Sequence, residues 1–226
     1  MAFGGNILLA AASSSSTGDL SITISSNTQD YNVLTAATAL GYNNSAGEDI
    51  TITLIIDQGI DVTSTDTAYP ALRTGVLNAN TTLAITNNGN IEGEEGDGPS
   101  GSGGNGGTGG DGLFFETLTG GSATHSIINS TTGIISGGGG GGGGDGVRET
   151  FIDDGEGGYC SGPSYAGSPG APGSVGQPGA NGSYGAGSAL CNVTAPGSGG
   201  AAGNALVRGG ATIAVTNNGT INGSWT

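Results

Sequence analysis

Gly167-Ser168-Pro169-Gly170-Ala171-Pro172-Gly173-Ser174-Val175-Gly176-Gln177-Pro178-Gly179-Ala180-Asn181-Gly182-Ser183-Tyr184-Gly185 carries a glycine at every third position without a miss. Related stretches keep the same time. Gly103-Gly104-Asn105, Gly106-Gly107-Thr108 and Gly109-Gly110-Asp111 are three GGx triplets, and Gly137–Gly144 is an unbroken glycine run. A period of three is neither the 3.6 of an α-helix nor the 2 of a strand. It is the period of the polyproline II helix, which has no internal hydrogen bonds. Such a segment either hydrates or pairs with segments like itself.

Composition sharpens that choice. The chain has 51 Gly and 7 Pro among 226 residues, a content that reads as disorder when it has no period. Glycine loses the most entropy on ordering, so an ordered glycine fold needs strong compensation. The regular period argues for order, because a disordered segment needs none. A collagen triple helix is the structural rival, with Pro169, Pro172 and Pro178 in the third position of Gly-x-y triplets. It accounts for one tract, whereas packing within the chain accounts for all of them.

Charge is sparse and one-sided. There are 18 Asp+Glu against 3 Arg, with no Lys and a formal net charge of −15. A basic patch for nucleic acid is absent, and anionic lipid is disfavoured for the same reason. No run approaches the 18 apolar residues of a membrane-spanning helix, so no membrane insertion is expected. The acidic clusters Glu92, Glu94, Glu95, Asp97 and Glu149, Asp153, Asp154, Glu156 match no EF-hand loop and read as solvated charge. No metal site, no cofactor and no enzymatic activity are expected. The GxxxxGK[ST] phosphate loop needs a lysine, and His125, the one histidine, reads as a tolerated surface residue. Cys160 and Cys191 bracket the glycine clock. A disulfide between them would close a loop of about 30 residues and stabilise by roughly 3 kcal/mol, and two buried free thiols are the other reading.

Residues 1–92 read as a small α+β module. Leu20, Ile22 and Ile24 alternate with polar residues in a strand, as do Ile50, Ile52, Leu54 and Ile56. Between them Thr28 is expected to cap a helix, with Asp30 in its first turn and Gly41 at its end. A repeat follows. Thr82-Leu83-Ala84-Ile85-Thr86-Asn87-Asn88-Gly89-Asn90-Ile91-Glu92-Gly93 matches Thr212-Ile213-Ala214-Val215-Thr216-Asn217-Asn218-Gly219-Thr220-Ile221-Asn222-Gly223, with a looser copy around Ile127 and Ile134. Each copy reads as a strand, an Asn-Gly tight turn and a buried Ile. Residues 93–226 thus form a second, glycine-rich domain. The fold class expected is mostly β and irregular: the α+β module followed by a polyglycine/polyproline-II helix sandwich with short repeat strands.

The Thr-Asn-Asn-Gly-x-Ile-x-Gly repeats feeding glycine tracts, with Tyr31-Asn32-Val33-Leu34-Thr35-Ala36-Ala37 and Gly41-Tyr42 upstream, resemble tail proteins and adhesins of tailed bacteriophages. T-even-like long-tail-fibre tip adhesins carry a related glycine-rich domain. The resemblance implies a sandwich of polyglycine-II helices whose distal loops touch the host receptor. It implies a virion protein at a tail or fibre tip, made in the bacterial cytoplasm. Its partners would be other virion proteins, through the N-terminal module, and a host surface protein or glycan. Two loops, Leu113–Leu118 and Val147–Tyr165, interrupt the glycine arms. With Tyr184 they supply the expected receptor contacts Phe114, Phe115, Phe151, Tyr159, Tyr165 and Tyr184, since aromatics give contact area at low entropic cost. A head decoration, head fibre or tail-assembly cap is the alternative.

Overall fold

The computed structural model describes residues 18–44, 49–116, 124–152, 159–160, 165–171, 173–185 and 189–226; for residues 149–152, 159–160, 165 and 189–192 it describes the backbone alone. The chain divides into two units that interleave along the sequence. The first comprises residues 1–94, 111–137 and 204–226, and the second residues 95–110 and 138–203. The strands at 113–136 and 206–222, read from the sequence as part of the glycine-rich region, therefore lie in the first unit.

The first unit is mostly β with one short helix, and its strands stack in parallel register as successive coils of a three-faced solenoid. The first coil is β1 (Leu20–Ile24), β2 (Thr28–Gln29) and β3 (Tyr31–Asn32), followed by α1 (Val33–Ala39). The second is β4 (Thr51–Ile56), β5 (Asp61–Thr63) and β6 (Leu72–Arg73); the third is β7 (Thr82–Asn87), β8 (Asn90–Glu92) and β9 (Leu113–Phe114). The fourth begins with β10 (His125–Asn129) and β11 (Ile134–Ser136). The chain then passes through β12 (Val147–Ile152), β13 (Tyr159–Cys160), β14 (Tyr165–Ala166) and β15 (Ala189–Thr194) of the second unit before closing the coil with β16 (Leu206–Val207). The fifth coil is β17 (Ile213–Asn217) and β18 (Thr220–Asn222), with Trp225 bridging Leu206. The faces are the sheets β1-β4-β7-β10-β17, β18-β11-β8-β5-β2 and β16-β9-β6-β3.

Alternation places every second side chain inside, and exact register stacks like on like. Ile22, Leu54, Ile85, Ile127 and Val215 form one interior column, and Val62, Ile91, Ile135 and Ile221 another. Tyr31, Leu72, Leu113 and Leu206 form the third. No single coil buries its own apolar face, so the core exists through stacking. Ile85 and Ile91 are fully buried, as the repeat predicts; Val215 and Ile221, on the outermost coil, are partly buried against the same core.

The Asn-Gly dipeptides do not make hairpins. They turn the chain from the first face to the second, and their strands pair with neighbouring coils rather than with each other. Glycine serves close approach at these corners: a Cβ on Gly89 would overlap the Ile60 carbonyl, and one on Gly219 the carbonyls of Gly133 and Ser130. The preceding asparagines form an internal ladder. Asn87 Nδ2 donates to Asn129 Oδ1 at 2.9 Å, and Asn129 Nδ2 donates to Asn217 Oδ1 at 2.9 Å and to the Thr220 carbonyl at 3.1 Å. Both Asn87 and Asn129 are fully buried. Asn129→Ala removes three of these bonds, and loss of about 2–3 kcal/mol is expected in urea unfolding.

The helix differs from expectation at its start. Asn32 is the N-cap, accepting from the Thr35 N–H at 3.1 Å. Thr28 cannot cap because it is drawn into β2 alongside Val62. Gly41 ends the helix as expected, at φ 97°. Its N–H donates to Thr38 O and that of Tyr42 to Ala37 O, a Schellman closure.

The second unit is held by backbone bonds between glycine arms. Residues 138–146 form the central arm. The N–H groups of Gly138, Gly141 and Gly144 donate to Gly110, Gly107 and Gly104, and those of Gly140, Gly143 and Gly146 to Gln177, Ala180 and Ser183, all at 2.7–3.0 Å. Carbonyls of the same arm accept from Gly167, Gly170 and Gly173, from Gly197, Gly200 and Gly203, and from Gly96. Bonding residues advance by three along every arm, and each partner lies within the chain.

The glycine content of each arm follows from how many sides are touched. In 138–144 all residues are buried, and Cβ atoms on Gly139, Gly140, Gly141, Gly142 and Gly143 would overlap carbonyls of Gly173, Gly200, Asp97, Gly170 and Gly197. In 103–110 two residues per triplet face neighbours, while Asn105 and Thr108 are exposed. In 167–185 one residue per triplet does, and Ser168, Pro169, Ala171, Gln177, Pro178 and Asn181 are exposed. Gly176 is a correction. The three-residue period predicts a backbone contact with a neighbouring arm at Gly176, as at the other glycines of the tract, but Gly176 sits in the turn closed by the Gln177 N–H donating to Ser174 O, at φ 70°. Valine would be strained there by the left-handed backbone, not by an arm contact.

Candidate functional site

The expected loop at Leu113–Leu118 is, over its described residues, the third-face strand of a coil. Leu113 and Phe115 are fully buried in the first unit. The Phe115 ring stacks on His125, centroids 6.1 Å apart. Phe115 is therefore a core residue and offers no surface to a partner, because its coil closes over it. Phe114 is half-buried in β9. Glu116 accepts from Thr74 Oγ1 and the Gly75 N–H, pinning the segment.

His125 is likewise a correction: it is buried, not a surface residue. Its Nδ1 accepts from the Leu83 N–H at 3.1 Å. Burial lowers its pKa below the ordinary histidine value. The folded state thus holds His125 neutral, while the unfolded chain binds a proton near pH 6.5. Its contribution to stability is complete above about pH 6.5 and is lost as pH falls through the folded-state value. His125→Gln should flatten that part of a pH–stability profile. Burial also pushes the Tyr31 hydroxyl up to about 12.

The second expected loop, Val147–Tyr165, is partly strand. β12 pairs antiparallel with β13, β14 and β15, the antiparallel sheet among the described residues. Phe151, Tyr159 and Tyr165 lie on these strands, and their side chains are outside the described residues. The same holds for Cys160 and Cys191, whose backbones pair with Phe151 and Glu149 of β12. Tyr184 is 45 % exposed, and its backbone bridges Gly146. The Arg148 guanidinium lies over its ring, 4.3 Å from the centroid, a cation–π contact. Arg148 is the single basic residue in the sequence of the second unit. Sequence reading missed it, since nothing local ties it to a tyrosine far along the chain. Among the described residues no cluster of three or more His, Cys, Asp or Glu could hold a metal ion, and no helix is long and apolar enough to cross a membrane.

The family model described as phage tail fibre adhesin Gp38 matches residues 19–226. The chain belongs to this family. The adhesin is also similar to a solved structure, the gp37-gp38 adhesin tip complex of the bacteriophage S16 long tail fiber. Identity is 21%, the match covers 92% of this chain and 82% of that one, and the TM-score is 0.47. No curated protein matches the adhesin.

Proposed function

We propose that this adhesin is the receptor-binding tip of a phage tail fibre, contacting the host surface through the second unit. Family membership carries the reading, and the exposure of Tyr184 over Arg148 supports its location. The glycine arms act as a polyglycine-II scaffold, and the chemistry of recognition sits on the segments between arms. Phe151, Tyr159, Tyr165 and Tyr184 are the contact residues; Phe115 is withdrawn from the expected set as a core residue, and Phe114, half-buried on β9 of the first unit, stands outside a site carried by the second. The target is a host surface protein or glycan, bound without catalysis. The first unit, which includes the N-terminal module 1–92, holds the adhesin to other virion proteins. A Cys160–Cys191 disulfide is retained as a proposal, to be read from masses with and without reductant.

Tyr184→Ala tests the recognition site. A central aromatic anchor contributes about 2 kcal/mol or more, so adsorption should fall roughly tenfold or beyond. The variant should stay on purified particles at the wild-type level. Unchanged adsorption with the protein present would remove Tyr184 from the site.

A further inference from the structure

We propose that Asn218 is a site of spontaneous deamidation in this protein, set apart from the other Asn-Gly dipeptides by the bonds it lacks. Five occur among the described residues: Asn88-Gly89, Asn105-Gly106, Asn181-Gly182, Asn218-Gly219 and Asn222-Gly223. The Asn-Gly sequence is prone to this reaction because no Cβ on glycine obstructs its nitrogen. The glycine backbone nitrogen, after losing its proton, attacks Cγ of the preceding asparagine. The bond from Cγ to the side-chain nitrogen breaks, ammonia leaves, and a five-membered succinimide remains. Water then opens either ring carbonyl, giving aspartate or isoaspartate. The reaction needs an asparagine side chain free to turn and a glycine N–H free to be lost.

Four of the sites are restrained. Asn88 Nδ2 donates to the Ile56 carbonyl at 3.0 Å, and Gly89 N–H donates to the fully buried Asn87. Asn105 Oδ1 accepts from the Ser198 N–H at 3.0 Å while Gly106 N–H donates to the Ser198 carbonyl at 2.9 Å. Asn181 Oδ1 accepts from Gly199 N–H at 2.9 Å, and Gly182 N–H donates to the Gly197 carbonyl at 3.0 Å. Asn222 Nδ2 donates to Ser136 Oγ at 3.2 Å. At Asn218 the side chain is exposed and makes no hydrogen bond among the described residues. Gly219 N–H meets only Asn217 Oδ1, at 3.2 Å on an exposed residue. The fold keeps the liability in place: Gly219 cannot gain a side chain without overlapping the Gly133 and Ser130 carbonyls. The fourth coil avoids it by using Ser130 at the equivalent corner position.

The test is to age the purified full-length protein in mildly alkaline buffer and map the conversion by fragmentation mass spectrometry. Cleavage after Arg208 releases residues 209–226 as one peptide. Conversion at 218 should run at least about tenfold faster than at Asn88, its sequence twin. Urea-unfolded protein should convert at both sites at similar rates. Asn218→Ser should abolish the mass gain in the 209–226 peptide with an unchanged melting temperature. Equal rates at 88 and 218 in folded protein would overturn the proposal. So would a mass gain in that peptide that survives Asn218→Ser, or no conversion at 218 while the unfolded protein converts.

Discussion

Gly141→Ala should unfold the glycine-rich unit. Gly141 lies in the central arm, fully enclosed, with its N–H on the Gly107 carbonyl and its own carbonyl taking the Gly200 N–H at 2.7 Å. A Cβ there would overlap the Asp97 carbonyl. The obstruction is backbone, so no rotamer relieves it. The arm must move away, which breaks lateral bonds to several neighbours together. The expected loss exceeds about 4 kcal/mol, in the range reserved for severe core faults. Hydrogen exchange should show protection lost throughout 95–110 and 138–203, with protection kept in β4 and β7. Ala171→Ser, at an exposed outward position of an outer arm, should stay within about 0.5 kcal/mol of wild type. Comparable effects from the two substitutions would contradict the account of glycine placement.

Phe115→Ala has the second-largest expected effect, a loss of about 3–5 kcal/mol from the first unit. The ring is fully buried against His125, and truncation leaves a cavity between coils. The variant should melt at a markedly lower temperature and be depleted from particles, whereas Tyr184→Ala should melt like wild type. A Phe115→Ala protein of wild-type stability with weakened adsorption would return Phe115 to the receptor site.

These two residues mark what sequence could reveal. The clock at Gly167–Gly185 gave away lateral packing of arms, because the repeat of the bonds is the repeat of the residues. It did not say which arm is central; that follows from neighbours contributed by four separate stretches. Alternation at Ile52, Leu54 and Ile56 marked a strand, but its partner β7 lies beyond β5 and β6, one full coil further along the chain. Asn87-Asn88-Gly89 carries both hairpin and solenoid-corner meanings, and only the strand that follows decides between them. Phe114 and Phe115 read as a loop because the strand is two residues long and sits between a glycine arm and residues 117–123. Its pairing with β6 and β16 stabilises it from afar.

The interleaving of the two units has a thermodynamic consequence. The fourth coil is interrupted between β11 and β16 by residues 138–203 of the second unit. While those residues are folded, the two halves of the coil are joined by an ordered insert. Melt them, and the same halves are joined by a long flexible loop, whose closure costs about 4 kcal/mol on logarithmic scaling. The solenoid therefore draws on the order of the arms, and damage confined to the arms should reach it as an entropic load on its fourth coil.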